Sequence, residues 1–121
     1  MSTAPRRADS LSGAEYDAAT RAVLAAVEAA ADRFLQEDVI DIDAGRTGGL
    51  LELAFPNGSK IVVNTQPPLQ ELWLAARSGG FHYKYVGGAW RDTRDGRELF
   101  DALSACASEQ AAQPLRFTAP P

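Results

Sequence analysis

The sequence predicts an α+β fold, a two-layer α/β sandwich. An N-terminal and a C-terminal helix pack on one face of an antiparallel sheet of about five to six strands. Three observations carry this expectation. A long alanine-rich stretch of helical periodicity lies near the start, and a shorter one near the end. Between them, short runs of period-two alternation follow one another across tight turns, with no room for the crossovers that parallel pairing needs. Helices on one face leave the other face of the sheet open to solvent.

Residues 1–10 are small, polar and charged, and read as a flexible tail. Residues 11–118 read as a single domain, and 119–121 as a C-terminal tail. Ser12 is a suitable N-cap, with Glu15 three residues on to complete a capping box. Tyr16, Thr20, Val23, Leu24, Val27, Ala31 and Phe34 then recur at helical steps, and the helix should end near Leu35 or Gln36. Val39, Ile40 and Ile42 alternate loosely with Asp38, Asp41 and Asp43, which predicts a short strand with an acidic outer face, or the acidic entry to one. Gly45, Gly48 and Gly49 follow as a turn.

Leu51, Leu53 and Phe55 mark the next strand. Pro56-Asn57-Gly58-Ser59 is a hairpin signal, and Lys60–Gln66 returns with Ile61 and Val63 on one side. Pro67-Pro68 ends that strand. Glu71–Ala76 places Leu72 and Leu74 inward and Trp73 outward, and Gly79-Gly80 reads as a turn. Phe81, Tyr83 and Tyr85 alternate in a further strand, and Gly87-Gly88 leads to a short edge strand around Trp90. After Asp95-Gly96, Leu99, Phe100, Leu103, Cys106 and Ala107 form the apolar face of the last helix. Pro114 stops it, and Leu115–Phe117 is read as packing back.

At 121 residues, one domain should bury roughly two-thirds of its unfolded surface without metal or disulfide staples. Sixteen acids against twelve bases give a net charge of −4, which disfavours nucleic acid and anionic membranes as partners. A single cysteine excludes an internal disulfide and any cysteine-based zinc site, and suits a reducing cytoplasm. Arg6 and Arg7 are not followed by an apolar run, so no signal peptide is expected. No apolar run is long enough to span a membrane.

Glu28, Asp32, Glu37, Asp38, Asp41 and Asp43 lie within one short stretch against a single base, Arg33. Glu28 and Asp32, four apart on a helix, repel each other, and a bound cation would relieve that. Oxygen-only ligands suit hard cations, ferric iron, magnesium, calcium and manganese among them, in open and exchangeable sites. A solvated helix face and a docking surface for a basic partner are the competing readings of the same acids.

Strand parity puts Asn64, Gln66 and Trp73 together on the open face, where an indole flanked by amides resembles a binding hot spot. His82, the one histidine, falls on the same face. Cys106 reads as a small buried apolar residue. No phosphate loop, HExxH, GxSxG or CxxC pattern is present.

The block Phe55–Tyr85 carries NGSKIVVN, QPPL, LWLAA and GGFHY in that order. It resembles the frataxin family, its bacterial members above all. The helix–strands–helix order agrees over roughly residues 14–117. The resemblance implies a non-enzymatic iron-binding protein of iron–sulfur cluster assembly. It would contact a cysteine desulfurase and the cluster scaffold as an iron-dependent regulator. Delivery or storage of Fe²⁺ is the alternative. Ferroxidase activity ranks last, because the Glu-x-x-His pairs of di-iron bundles are missing. Its acidic ridge would comprise Glu28, Asp32, Glu37, Asp38, Asp41 and Asp43, binding Fe²⁺ or Fe³⁺ weakly, with other divalent or trivalent cations as substitutes. Asn64, Gln66, Trp73 and His82 would face the partners. A cytoplasmic monomer that iron can drive into oligomers completes the expectation. Ala29 and Arg33 stand where many bacterial relatives carry further acids, which thins the ridge, and Gly45–Thr47 reads as a lengthened first turn.

Overall fold

The computed structural model describes residues 8–121. The first helix, α1 (Gly13–Gln36), starts as expected: the Ser12 hydroxyl accepts the Glu15 N–H while the Glu15 carboxylate accepts the Ser12 N–H. It ends in a Schellman motif. Asp38 adopts a left-handed φ of 57°, its N–H reaches the Leu35 carbonyl, and the Val39 N–H reaches the Phe34 carbonyl at 2.8 Å.

Six strands follow: β1 (Asp43–Thr47), β2 (Leu50–Ala54), β3 (Lys60–Gln66), β4 (Glu71–Ala76), β5 (Gly79–Val86) and β6 (Ala89–Asp92). A single 3₁₀ turn, Pro67–Leu69, separates β3 from β4. All neighbours pair antiparallel in sequential order, and α2 (Leu99–Ala111) closes the layer of helices. The predicted two-layer architecture is the observed one.

Of the two readings of 38–43, the acidic entry to a strand is the observed one, because the Schellman turn holds Asp38 and Val39 and pairing begins only at Asp43. Two local expectations are corrected. Gly45–Thr47 belongs to β1, where Gly45 pairs with Glu52. The β4–β5 turn is Arg77-Ser78, while Gly79 and Gly80 open β5 opposite Ala76 and Ala75. Of the tail expected at 1–10, residues 1–7 lie outside the described part. Asp9 is pinned, donating its N–H to the Tyr85 carbonyl and accepting the Gly87 N–H.

Between the layers, Tyr16, Leu24, Val27 and Phe34 meet Leu51, Leu53, Ile61, Val63, Leu72 and Leu74, with Leu99, Phe100 and Leu103 beside them. Leu115 and Phe117 do fold back. Their N–H groups donate to the Ser108 and Ser104 hydroxyls, and Phe117 meets Phe34 edge-on. Cys106 is buried, as expected. The helices cover one face of the sheet, and among the described residues no element covers the other.

Candidate functional site

Strand register determines what the open face displays. Asn64 pairs with Trp73 and Trp73 with His82, which makes one cross-strand row. Gln66, Glu71, Lys84 and Arg91 make the row beside it. The structure therefore brings Asn64, Gln66, Trp73 and His82 together on the face where parity placed them.

Trp73 is half-buried, and its indole lies flat on His82, with centroids 4.3 Å apart and planes 6° apart. Its Nε1–H donates to Glu71 Oε1 at 2.8 Å. That carboxylate also faces Lys84 Nζ at 3.2 Å and His82 Nδ1 at 3.7 Å, the latter an ion pair when the imidazole is protonated. Burial pushes the Glu71 carboxyl up. The indole N–H, the Lys84 ammonium and His82 outweigh burial and hold it below the ordinary carboxylate value. Trp73 is thus fixed in orientation by a stacked ring and by a charged hydrogen bond, the preorganisation a docking anchor needs. A shallow depression of about 340 Å³, lined by Val62, Asn64, Trp73 and His82 among others, lies beside it.

From the opposite layer, the Tyr16 hydroxyl donates to the Glu71 carbonyl at 2.6 Å and accepts the Gln66 N–H at 2.9 Å. Those two backbone groups flank the 3₁₀ turn that interrupts β3–β4 pairing. α1 thereby secures the end of the Gln66–Glu71 row.

The acidic residues run from the C-terminal half of α1 through the Schellman turn to the start of β1. Glu28 accepts from Arg46 Nη1 at 2.9 Å, an ion pair across from β1 that sequence spacing conceals. Among the described residues, Asp32, Glu37, Asp38, Asp41 and Asp43 take part in no side-chain hydrogen bond or ion pair. All are exposed. No group of three or more His, Cys, Asp or Glu side chains converges as a ligand set among the described residues. The donor chemistry suits a hydrated hard cation held by one or two carboxylates, and does not suit an enclosed site.

Residues 9–113 match the family model for the frataxin-like domain. The chain belongs to the frataxin family. It is 53% identical over 106 residues to the iron–sulfur cluster assembly protein CyaY of a Polaromonas species, covering 88% of this chain and 91% of that protein. The protein of the same name from Burkholderia mallei is 52% identical over 109 residues, 90% of this chain and all of the relative. Among solved structures, frataxin from Psychromonas ingrahamii superposes with a TM-score of 0.78 at 32% identity. That match covers 89% of this chain and 99% of the other. The trimeric frataxin of Saccharomyces cerevisiae complexed with ferrous iron matches at a TM-score of 0.62 and 26% identity, over 87% and 90% of the two chains.

Within this frataxin fold, sequence reading missed Glu71, Lys84 and Arg46. Each acts through a partner that only strand register or helix–sheet packing supplies. No helix of the described residues is long and apolar enough to cross a membrane.

Proposed function

We propose that the protein is an iron-dependent regulator of iron–sulfur cluster assembly in the cytoplasm, acting on a cysteine desulfurase–scaffold complex through protein contacts. Membership of the frataxin family and relatives named for cluster assembly support the general role. The observation that carries the finer reading is the Trp73–His82 stack. It is anchored by Glu71 on a sheet face that no element of the described residues covers. On this reading Asn64, Gln66, Trp73 and His82 dock the machinery. The exposed acids Asp32, Glu37, Asp38, Asp41 and Asp43, with Glu28, take iron as a bound effector.

Iron neutralises part of the ridge and so changes its attraction for a basic partner surface. No catalytic residue is assigned. The openness of the carboxylates also favours a second use, in which the same exchangeable iron is passed to the scaffold.

The test is cluster formation by the desulfurase and scaffold of the same organism, followed across Fe²⁺ concentrations with and without the protein. An iron-dependent change in rate is expected, blunted when Asp32, Asp38 and Asp41 become Asn. Scaffold loading faster than from free iron, with no change in desulfurase rate, would select the carrier role. No effect at any iron level, with desulfurase binding absent, would overturn the regulator reading.

A further inference from the structure

The geometry points to a carboxylate-bearing segment of the protein partner lying across the Trp73–His82 stack, with its acidic group seated between Lys84 and Arg91. This rests on the docking role of the open face proposed above and names the chemistry that face selects.

Lys84 and Arg91 stand directly opposite each other on β5 and β6. Like charges so placed destabilise a sheet unless something answers them. Glu71 answers Lys84 from the β4 side, at 3.2 Å. On its other side Arg91 pairs through the backbone with Glu98, whose carboxylate is turned to the start of α2, where it accepts the Phe100 and Asp101 N–H groups. Its guanidinium is exposed and forms no ion pair among the described residues; its one side-chain hydrogen bond is a 3.4 Å contact with the Gly96 carbonyl. A planar fork with most of its donors unused fits a carboxylate in the bidentate manner.

Beside the pair lies a groove of about 450 Å³ whose walls include Val86, Thr93 and Gly96 as well as both cations. It has room for a side chain with some apolar length. Asp92 also lines it, but that carboxylate is buried and takes the Arg94 N–H at 2.7 Å. Arg94 and Arg97 follow in the connection to α2 but are matched there by Asp92, Asp95 and Glu98, so the attraction for an acid is local to the Lys84–Arg91 pair. The ridge acids lie toward the β1 edge, at the far side of the sheet. A nucleic acid would need a run of phosphate contacts along its backbone, and this face offers two aligned cations. One or two partner carboxylates match it better.

The probe is the purified scaffold protein of the same organism, titrated calorimetrically at low and high salt against the wild type, Arg91→Gln, Arg91→Glu and Trp73→Ala. Melting curves confirm that each variant is folded. Arg91→Gln should weaken binding by about three- to tenfold at low salt and less at high salt, because the lost attraction is screened. Arg91→Glu should weaken it by more than about tenfold, through repulsion of the partner's acid.

Wild-type affinity for both Arg91 variants, with binding lost in Trp73→Ala, would overturn the carboxylate seat and leave the docking face standing. Unchanged affinity in all three variants would overturn both. Equal losses for Gln and Glu at both salts would assign Arg91 to packing and overturn the charge argument. A change confined to self-association, read by sedimentation, would give the seat to a second copy of this chain and likewise overturn the proposal.

Discussion

Glu71→Gln isolates the charge beneath Trp73 while keeping an acceptor of the same shape. The Glu71 side chain is only 10% exposed and accepts the Trp73 N–H at 2.8 Å. A hydrogen bond to a charged group contributes about 1 kcal/mol more than its neutral counterpart. The Lys84 partner is 39% exposed, which limits that pair to at most about 1 kcal/mol. Against these stands the burial of the carboxylate, the largest single influence on it and unfavourable to its charge. The balance still favours the ionised form, so the net loss at pH 7 should be about 1 kcal/mol.

At about 2.1 cal/mol/K per residue, a chain of 121 residues converts that into a Tm about 4 °C lower. The sign with pH follows from the lowered carboxyl. Its contribution is present above the ordinary value of 4.5 and is lost as pH falls through the folded-state value. Urea unfolding of both proteins from pH 7 down to acid below the carboxylate range should therefore show two stability curves that stay apart above 4.5 and converge below it. Equal midpoints at pH 7, or a difference that persists undiminished below the carboxylate range, would refute the reasoning.

Tyr16→Phe strips the hydroxyl from the Glu71 carbonyl and the Gln66 N–H, and should cost about 2–3 kcal/mol in urea unfolding. A loss below about 0.5 kcal/mol would mean that water replaces the hydroxyl there. Tyr83→Phe should act the other way. The Tyr83 hydroxyl is buried without a hydrogen-bond partner among the described residues, so its removal should stabilise the fold by about 1 kcal/mol. Burial, and then Asp92, push that phenol up from its ordinary value of 10.0, so its contribution holds below that value and is lost as pH rises. The advantage of the Phe variant should accordingly grow in alkali; an advantage that shrinks there would contradict the assignment.

What the sequence disclosed depended on how local the determining contacts are. The capping box at Ser12 and Glu15, the bounds of β3 and β4, and the outward face of Trp73 follow from spacing within a few residues. The ambiguities and failures lie where a local pattern competes with chain geometry. Asp38–Asp43 alternates like a strand or the entry to one, and Asp38, in the left-handed position that ends α1, decides for the entry. The glycine pair at 79–80 looks like a turn, yet the two-residue turn precedes it and Gly79, at φ 149°, begins the strand.

The site divides the same way. Asn64, Gln66, Trp73 and His82 were legible because parity alone groups them. Glu71 and Lys84 needed the β4–β5 register, which a turn misplaced by two residues obscured. Arg46 needed the packing of α1 over β1, which no local pattern encodes. Its pairing with Glu28 leaves the ridge with one carboxylate already neutralised. A cation at Glu28 would then compete with Arg46 for the carboxylate, whereas Asp32, Glu37, Asp38, Asp41 and Asp43 would offer theirs without such competition. On the proposed reading, the iron-responsive part of the ridge would therefore belong toward the Schellman turn and the β1 edge, away from the Lys84–Arg91 end of the open face, so that iron and a partner carboxylate would be held at the same time.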